Sequence, residues 1–340
     1  MLLCGAAAFA HHLGESSAFE RVLAAADKAH DRGKEVEAER GYAEAEALAK
    51  RPQNQVYARF QRALALRRLA RPEEARAVLR ALAKRWPKDD KTPRALYVAA
   101  RILEVDLKDK VGAEEEHVRL LRRSPRSDSA TRSLARVADL RADRSLDVAL
   151  DFLRETYRAN KRNALGPRAL YLGATFFEER AKLPDDAVRL YELLARRYPK
   201  SALCDDALWR AAHLHRTARR FDRALVLLRQ LARTRRESWA FGSYNSAHLD
   251  KAALLIAEIH LGDRRDLDAG IDALRTFISD FPHSFLRWRA RGLLVLNLVR
   301  AGRKGDARSA LADLEKHHPK TRWARLAREA VQTGVVPSTK

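Results

Sequence analysis

The residues whose types suit chemistry are few and scattered. His213-Leu214-His215 is the pair most like a metal site, but residues i and i+2 of a helix point to different sides. The two read as groove or surface histidines. Asp205-Asp206 and Glu178-Glu179 are carboxylate pairs of the sort that acid–base catalysis uses, and such a pair needs a pocket that shifts one pKa. Here they fall in first turns or on exposed helix positions, where support of the helix dipole explains them. Cys204 has a nucleophilic atom without an identifiable activating group and reads as a small buried apolar residue. His317-His318 closes a helix, where a partly protonated imidazole is a good cap, and His11-His12 is an accidental pair at the start of the chain. There is no G-x-G-x-x-G, no G-x-x-x-x-G-K-[ST], no H-E-x-x-H and no C-x-x-C. The expectation is a protein without catalytic residues, cofactor or metal.

Binding is the better prospect. The segment ESWAFGSYNSAHLD, Glu237 to Asp250, holds Trp239, Phe241 and Tyr244 among Gly, Ser and Asn, a mixture suited to recognition. An ordinary long connection that folds its aromatics over a core gap explains it equally well. A second set is basic: Arg59, Arg62, Arg94, Arg101, Arg132, Arg136, Arg210, Arg287 and Arg289. Of these, Arg59, Arg101, Arg136 and Arg210 are taken as partner-binding residues that would favour an acidic protein or peptide; solvated arginines whose stems cover apolar surface are the alternative. The net charge is +22, from 67 basic and 45 acidic residues, with a pI near 10.4. Much of this excess sits where helix dipoles want it, with acids opening helices (Glu73, Asp185) and bases closing them (Arg85, Arg197). Binding of nucleic acid or another polyanion is therefore the alternative function, and no recognition helix or stacking platform supports it.

The elements that must carry these residues follow from composition and spacing. Ala, Leu, Arg and Glu dominate, and short Val/Ile/Thr strand signals between Gly turns are almost absent, so the chain is all-α. Pro87, Pro125, Pro199, Pro282 and Pro319 each follow an apolar helical run. Twelve residues before them stand Ala75, Ala113, Ala187, Gly270 and Ala307, and five before them Leu82, Leu120, Leu194, Phe277 and Leu314. Ala149 and Ala224 fill the frame, whose steps are 36 to 38 residues except for one of 46 that holds the insertion. A weaker copy precedes them at Gly41 to Pro52. Each unit is two helices: the small residue admits close approach, and proline ends the second helix because it donates no N–H. The aromatic before it (Trp86, Tyr198, Phe281) seals the apolar stripe, and Ser127, Ser201, Ser284 and Thr321 are placed to cap the next helix. A lone unit cannot bury its apolar face, so units stack.

The segment ALYLGATFFEERAKLPDDAVRLYELLARRYPKS, residues 169 to 201, resembles the tetratricopeptide repeat family. Leu172-Gly173 and Phe176 match its first helix; Ala187, Tyr191, Leu194 and Pro199 match its second, with a turn two residues longer than usual. The aromatic–Pro–x–Ser ending looks most like bacterial cell-envelope members, of the outer-membrane assembly lipoprotein and Tol–Pal coordinator type. The resemblance implies a right-handed α-solenoid of about seven to eight helix–turn–helix repeats that scaffolds protein–protein interaction through a groove lined by first helices. The expected organisation is a truncated signal segment over 1–10, a helix over 11–34, the solenoid over 35–319 and a capping helix and tail over 320–340. MLLCGAAAFA, with Ala8-Phe9-Ala10, resembles the end of a secretory signal without its basic region; a frayed helix start is the other reading. The expected location is the periplasm or cell envelope, with the cytoplasm as alternative, and no run is long enough to span a membrane.

Overall fold

The computed structural model describes residues 15–233 and 248–338, and among them are seventeen α-helices and no strand. The chain divides into two units, Met1–Leu172 and Gly173–Lys340. The first holds α1 (Ser17–Asp31), α2 (Glu35–Leu48), α3 (Pro52–Arg68), α4 (Pro72–Arg85), α5 (Thr92–Val105), α6 (Lys110–Arg123), α7 (Asp128–Ala142) and α8 (Leu146–Ala159). The division falls within α9 (Leu165–Phe176). The second unit continues with α10 (Pro184–Arg197), α11 (Cys204–Thr217), α12 (Phe221–Arg233), α13 (Leu249–Glu258), α14 (Leu267–Asp280), α15 (Arg287–Arg300), α16 (Lys304–His317) and α17 (Arg322–Thr333). In each unit every helix packs on the next in sequence, the arrangement of an α-solenoid of helical repeats. None of the described helices is long and apolar enough to cross a membrane.

The small-residue anchors lie on the second helix of each hairpin and are all buried. The frame also reaches further back than the sequence suggests. Ala38, Tyr42 and Ala45 of α2 are fully buried and stand one 37-residue step before Ala75, Leu79 and Leu82, so the first copy begins three residues ahead of Gly41. Second helices end as their prolines require. Trp86, Tyr198, Phe281 and His318 donate their N–H to Leu82, Leu194, Phe277 and Leu314, and the proline that follows has none to give. Trp86 and Phe281 close the apolar clusters beneath them.

The turn inside each hairpin has a common backbone. Five residues before the anchor, Gly33, Ala70, Lys108, Lys182, Arg219, Arg265 and Gly302 all have positive φ, between 56° and 72°; the α7/α8 turn is the exception. Glycine adopts this conformation freely, but the other five residues pay for it in steric strain. The longer turn read from the α9/α10 sequence is taken up as a π-helical extension, Phe177–Ala181, and Ile259–Asp263 repeats the device after α13. Ser127 and Thr321 cap first helices by accepting from Ala130 and Ala324 N–H. Ser201 and Ser284 differ: they accept from Leu203 and Leu286, two residues on, and the helices begin only at Cys204 and Arg287. There the side chain closes a turn that leads into the helix.

Candidate functional site

The four arginines singled out from the sequence are all matched with carboxylates. Arg59 pairs with Glu46 and lies 5.1 Å above the Trp86 ring. Arg101 and Arg136 converge on Glu104, Arg101 at 2.6 Å, and Arg136 also reaches Asp139 at 3.4 Å. Arg210 sits 2.9 Å from Glu178 and 2.8 Å from Glu179. Beside them, Arg62 holds Glu39 at 2.8 Å and Arg289 holds Glu258 at 2.6 Å. Arg101–Glu104 and Arg136–Asp139 lie within one helix, while the other contacts join one first helix to the next or to the hairpin before it. The guanidiniums therefore tie repeats together.

Two of these nodes reach the core through a side chain that the sequence placed in the repeat frame. Four residues past the anchor, five second helices carry Leu79, Leu153, Leu228, Leu274 and Leu311, while three carry Tyr42, His117 and Tyr191. Each polar ring meets a carboxylate of its partner helix. Tyr42 donates to Asp27 at 2.8 Å and Tyr191 donates to Glu178 at 2.7 Å. His117 is fully buried, with Nδ1 2.9 Å from the Ser133 hydroxyl and Nε2 3.8 Å from Glu104. Burial pushes the His117 imidazole down to about 4, with Glu104 opposing and Arg101 and Arg136 assisting. Burial raises the Glu104 carboxyl, but Arg136 and Arg101 outweigh it and hold the group below the ordinary range. The carboxylates are visible in the sequence; their role is not, because each arginine partner from the following repeat lies about 32 residues away.

A third cluster surrounds the downstream end of the insertion. Trp239, Phe241 and Tyr244 lie outside the described residues, but His248 stacks on Trp209 with ring centroids 4.9 Å apart and 13° between planes. Its Nε2 is 3.0 Å from Asp206. His213 meets the same indole edge-on at 4.3 Å, and burial, then Arg216 and His248, hold its imidazole below the usual range. His215 turns away, is buried, and bonds Glu192 on α10 at 2.9 Å. The pair thus separates as i and i+2 must, but His215 is a core histidine and not a surface one. Ser284 donates to Asp250 at 2.6 Å, fixing the start of α13 to the next turn.

The remaining candidates have structural roles. Cys204 is buried at the start of α11, and burial pushes its thiol up to about 11. His317 bonds the Asp313 carbonyl at 2.8 Å, as a cap does. His318 departs from expectation: burial, then Arg291 and His317, hold its imidazole below the usual range, which works against the protonated cap. Among the described residues, no group of three or more His, Cys, Asp or Glu is placed to hold a metal ion.

Residues 57–89 and 168–201 match the tetratricopeptide repeat family model. The chain is similar in fold to the C-terminal part of a tetratricopeptide repeat-containing protein from Cytophaga hutchinsonii, at 15% identity over 78% of this chain and 97% of that one, with a TM-score of 0.47. It is also similar to a tetratricopeptide repeat protein from Parabacteroides merdae (16% identity, 83% and 100% covered, TM-score 0.37). The apo form of RapI gives 11% identity, 94% and 100% covered, and a TM-score of 0.45. No curated relative matches the sequence. Repeats of this type indicate a scaffold for protein–protein interaction.

Proposed function

We propose that the chain is a non-enzymatic scaffold of the bacterial cell envelope that holds a protein or peptide partner against its first helices beside α11. The observation that carries the site is the stacking of His248 on Trp209, together with the bond from His248 to Asp206. It fixes the downstream end of the insertion onto the first helix of the preceding hairpin, next to Arg210. The insertion carries Trp239, Phe241 and Tyr244, and insertions in repeat arrays commonly serve binding. The envelope location rests on the apolar start with Ala8-Phe9-Ala10 and on the aromatic–Pro–x–Ser repeat ending.

Affinity capture from the native host, with the parent chain and with W239A/F241A/Y244A, tests the site. The parent is expected to recover a specific partner and the triple variant to lose most of it. Equal recovery removes the insertion from the site. Sequencing the mature N-terminus of the natively expressed protein tests the location, and an uncleaved cytosolic chain rejects it.

A further inference from the structure

The first unit also carries a groove on its second-helix side, away from the first-helix residues described so far. Between α4 and α6 lies a cleft of about 550 Å³. Arg80 and Lys84 of α4 form one wall, Arg119 and Arg123 of α6 the other, and Leu96 and Leu120 lie between. Relative to the anchors these are positions five and nine on one helix, six and ten on the next. The same four positions are Ala43, Ala47, Ala81 and Arg85 between α2 and α4, and Val118, Arg122, Glu155 and Ala159 between α6 and α8. The α12/α14 cleft, about 1170 Å³, keeps Arg229 and Arg233 but faces them with Thr276 and Asp280. A generally basic composition does not by itself put four bases here.

The cleft is also short of counter-charge. Glu116 is the one acid in its lining, and three guanidiniums share it, Arg76 at 3.4 Å, Arg119 at 3.5 Å and Arg80 at 3.9 Å; Arg119 also meets Glu115, outside the lining, at 3.3 Å. Arg123 donates to the Ala83 carbonyl at 3.2 Å, and neither it nor Lys84 makes an ion pair among the described residues.

We propose that this groove binds an acidic polypeptide segment in extended conformation, through carboxylates two residues apart. Residues four apart on a helix are about 6 Å apart along its axis, and alternate side chains of an extended chain are about 6.6 Å apart on one side. One carboxylate meets Arg80 and Arg119, the next Lys84 and Arg123. Guanidiniums suit carboxylates by their paired N–H geometry, and the half-buried Leu96 and exposed Ala81 of the lining cover the methylenes of glutamate stems. The lining has no aromatic ring on which a nucleotide base would stack. The proposal deepens the scaffold reading by naming the chemistry of a partner segment, at a surface separate from the insertion.

Fluorescence anisotropy with a labelled peptide of alternating Glu and Thr, at low ionic strength, tests it. The Glu peptide is expected to bind, and its Gln counterpart at least tenfold more weakly. K84E/R123E is expected to lose at least tenfold in affinity. R122E/R158E changes charge equally on exposed positions outside the cleft and is expected to stay within threefold of the parent. All four side chains are exposed, and circular dichroism checks that both variants fold. Equal binding by K84E/R123E and the parent overturns the proposal, as does tighter binding of single-stranded DNA through the same residues. If W239A/F241A/Y244A abolishes partner capture while no peptide binds, the groove proposal falls and the scaffold reading stands.

Discussion

His117 occupies a slot that five other repeats fill with leucine, and its burial makes folding pH-dependent in a calculable way. In the unfolded chain the imidazole titrates near 6.5; in the fold it is pushed down to about 4. The unfolded state therefore binds the extra proton first. Stability from this residue is intact above pH 6.5, is lost as pH falls toward 4, and is level below that. Between pH 8 and pH 5 the loss is about 2 kcal/mol, from about 97% protonation of the unfolded imidazole and under a tenth of the folded one. The variant that isolates this effect is H117L/S133A. It installs the residue of the sister repeats and removes the Ser133 hydroxyl that would otherwise lose its partner at 2.9 Å. Loss of one buried hydrogen bond against gain of apolar contact leaves the variant within about 1 kcal/mol of the parent at pH 8. At pH 5 its stability relative to the parent should have risen by about 2 kcal/mol over its pH 8 value. Urea denaturation of both proteins at both pH values measures the double difference, in which the other histidines held below the usual range, such as His213 and His260, cancel. The same pH-dependent loss in parent and variant would refute the argument and show that His117 charges without penalty, through Glu104.

The left-handed turn positions give a second test. A70G and K108G exchange a residue strained by about 1–2 kcal/mol for one that adopts the conformation freely, at an entropic cost of about 0.5–1 kcal/mol. Each should stabilise its unit by roughly 0.5–1 kcal/mol, raising the denaturation midpoint. G302A should lower it by about 1 kcal/mol, because a Cβ there meets nothing within 4 Å and only the backbone objects; an unchanged G302A rejects the strain argument. Cys204, with its thiol raised to about 11, should resist iodoacetamide at pH 8 in the native protein and react on denaturation. Peptide mass mapping reads this directly, and native alkylation at that residue would contradict its burial.

The repeat frame was legible because it reflects a steric rule: where two helices approach closely only a small residue fits, so Ala75, Ala113, Ala187 and Ala307 mark each unit without help from its neighbours. The first copy was misplaced for an equally local reason. Pro52 stands fourteen residues after Ala38, against twelve elsewhere, and drew the frame toward Gly41. The left-handed turns were hidden because only Gly33 and Gly302 advertise them, while Ala70, Lys108, Lys182, Arg219 and Arg265 meet the same backbone demand silently. The site residues were the least legible. Trp209 carries no mark in the repeat frame. Its contact with His248 depends on how a 39-residue stretch returns to α11, which no local pattern encodes.

The charge of the chain looks different once its partners are placed. Arg67 meets Asp106 at 2.5 Å and Arg216 meets Asp263 at 2.6 Å, each crossing from one hairpin to the next at the same register. Arg220 meets Asp185, and Arg303 meets Asp268 at 2.5 Å, at a second shared register. Each exposed pair contributes at most about 1 kcal/mol. In a linear array, however, stability is approximately a sum of unit terms and nearest-neighbour interface terms. Ties at several interfaces therefore add, and they strengthen what keeps those neighbouring hairpins together. An excess of arginine over acid is tolerable in this scheme only where the surplus falls away from the ties. The α4/α6 groove is such a place, since Lys84 and Arg123 make no ion pair there and Glu116 is the one acid in its lining. Net charge of +22 thus says little about what the protein binds; the local failure of pairing says more. Salt should accordingly weaken peptide binding at Lys84 and Arg123 far more than it weakens the fold, because the ties are many and short while the groove awaits its counter-charge from outside.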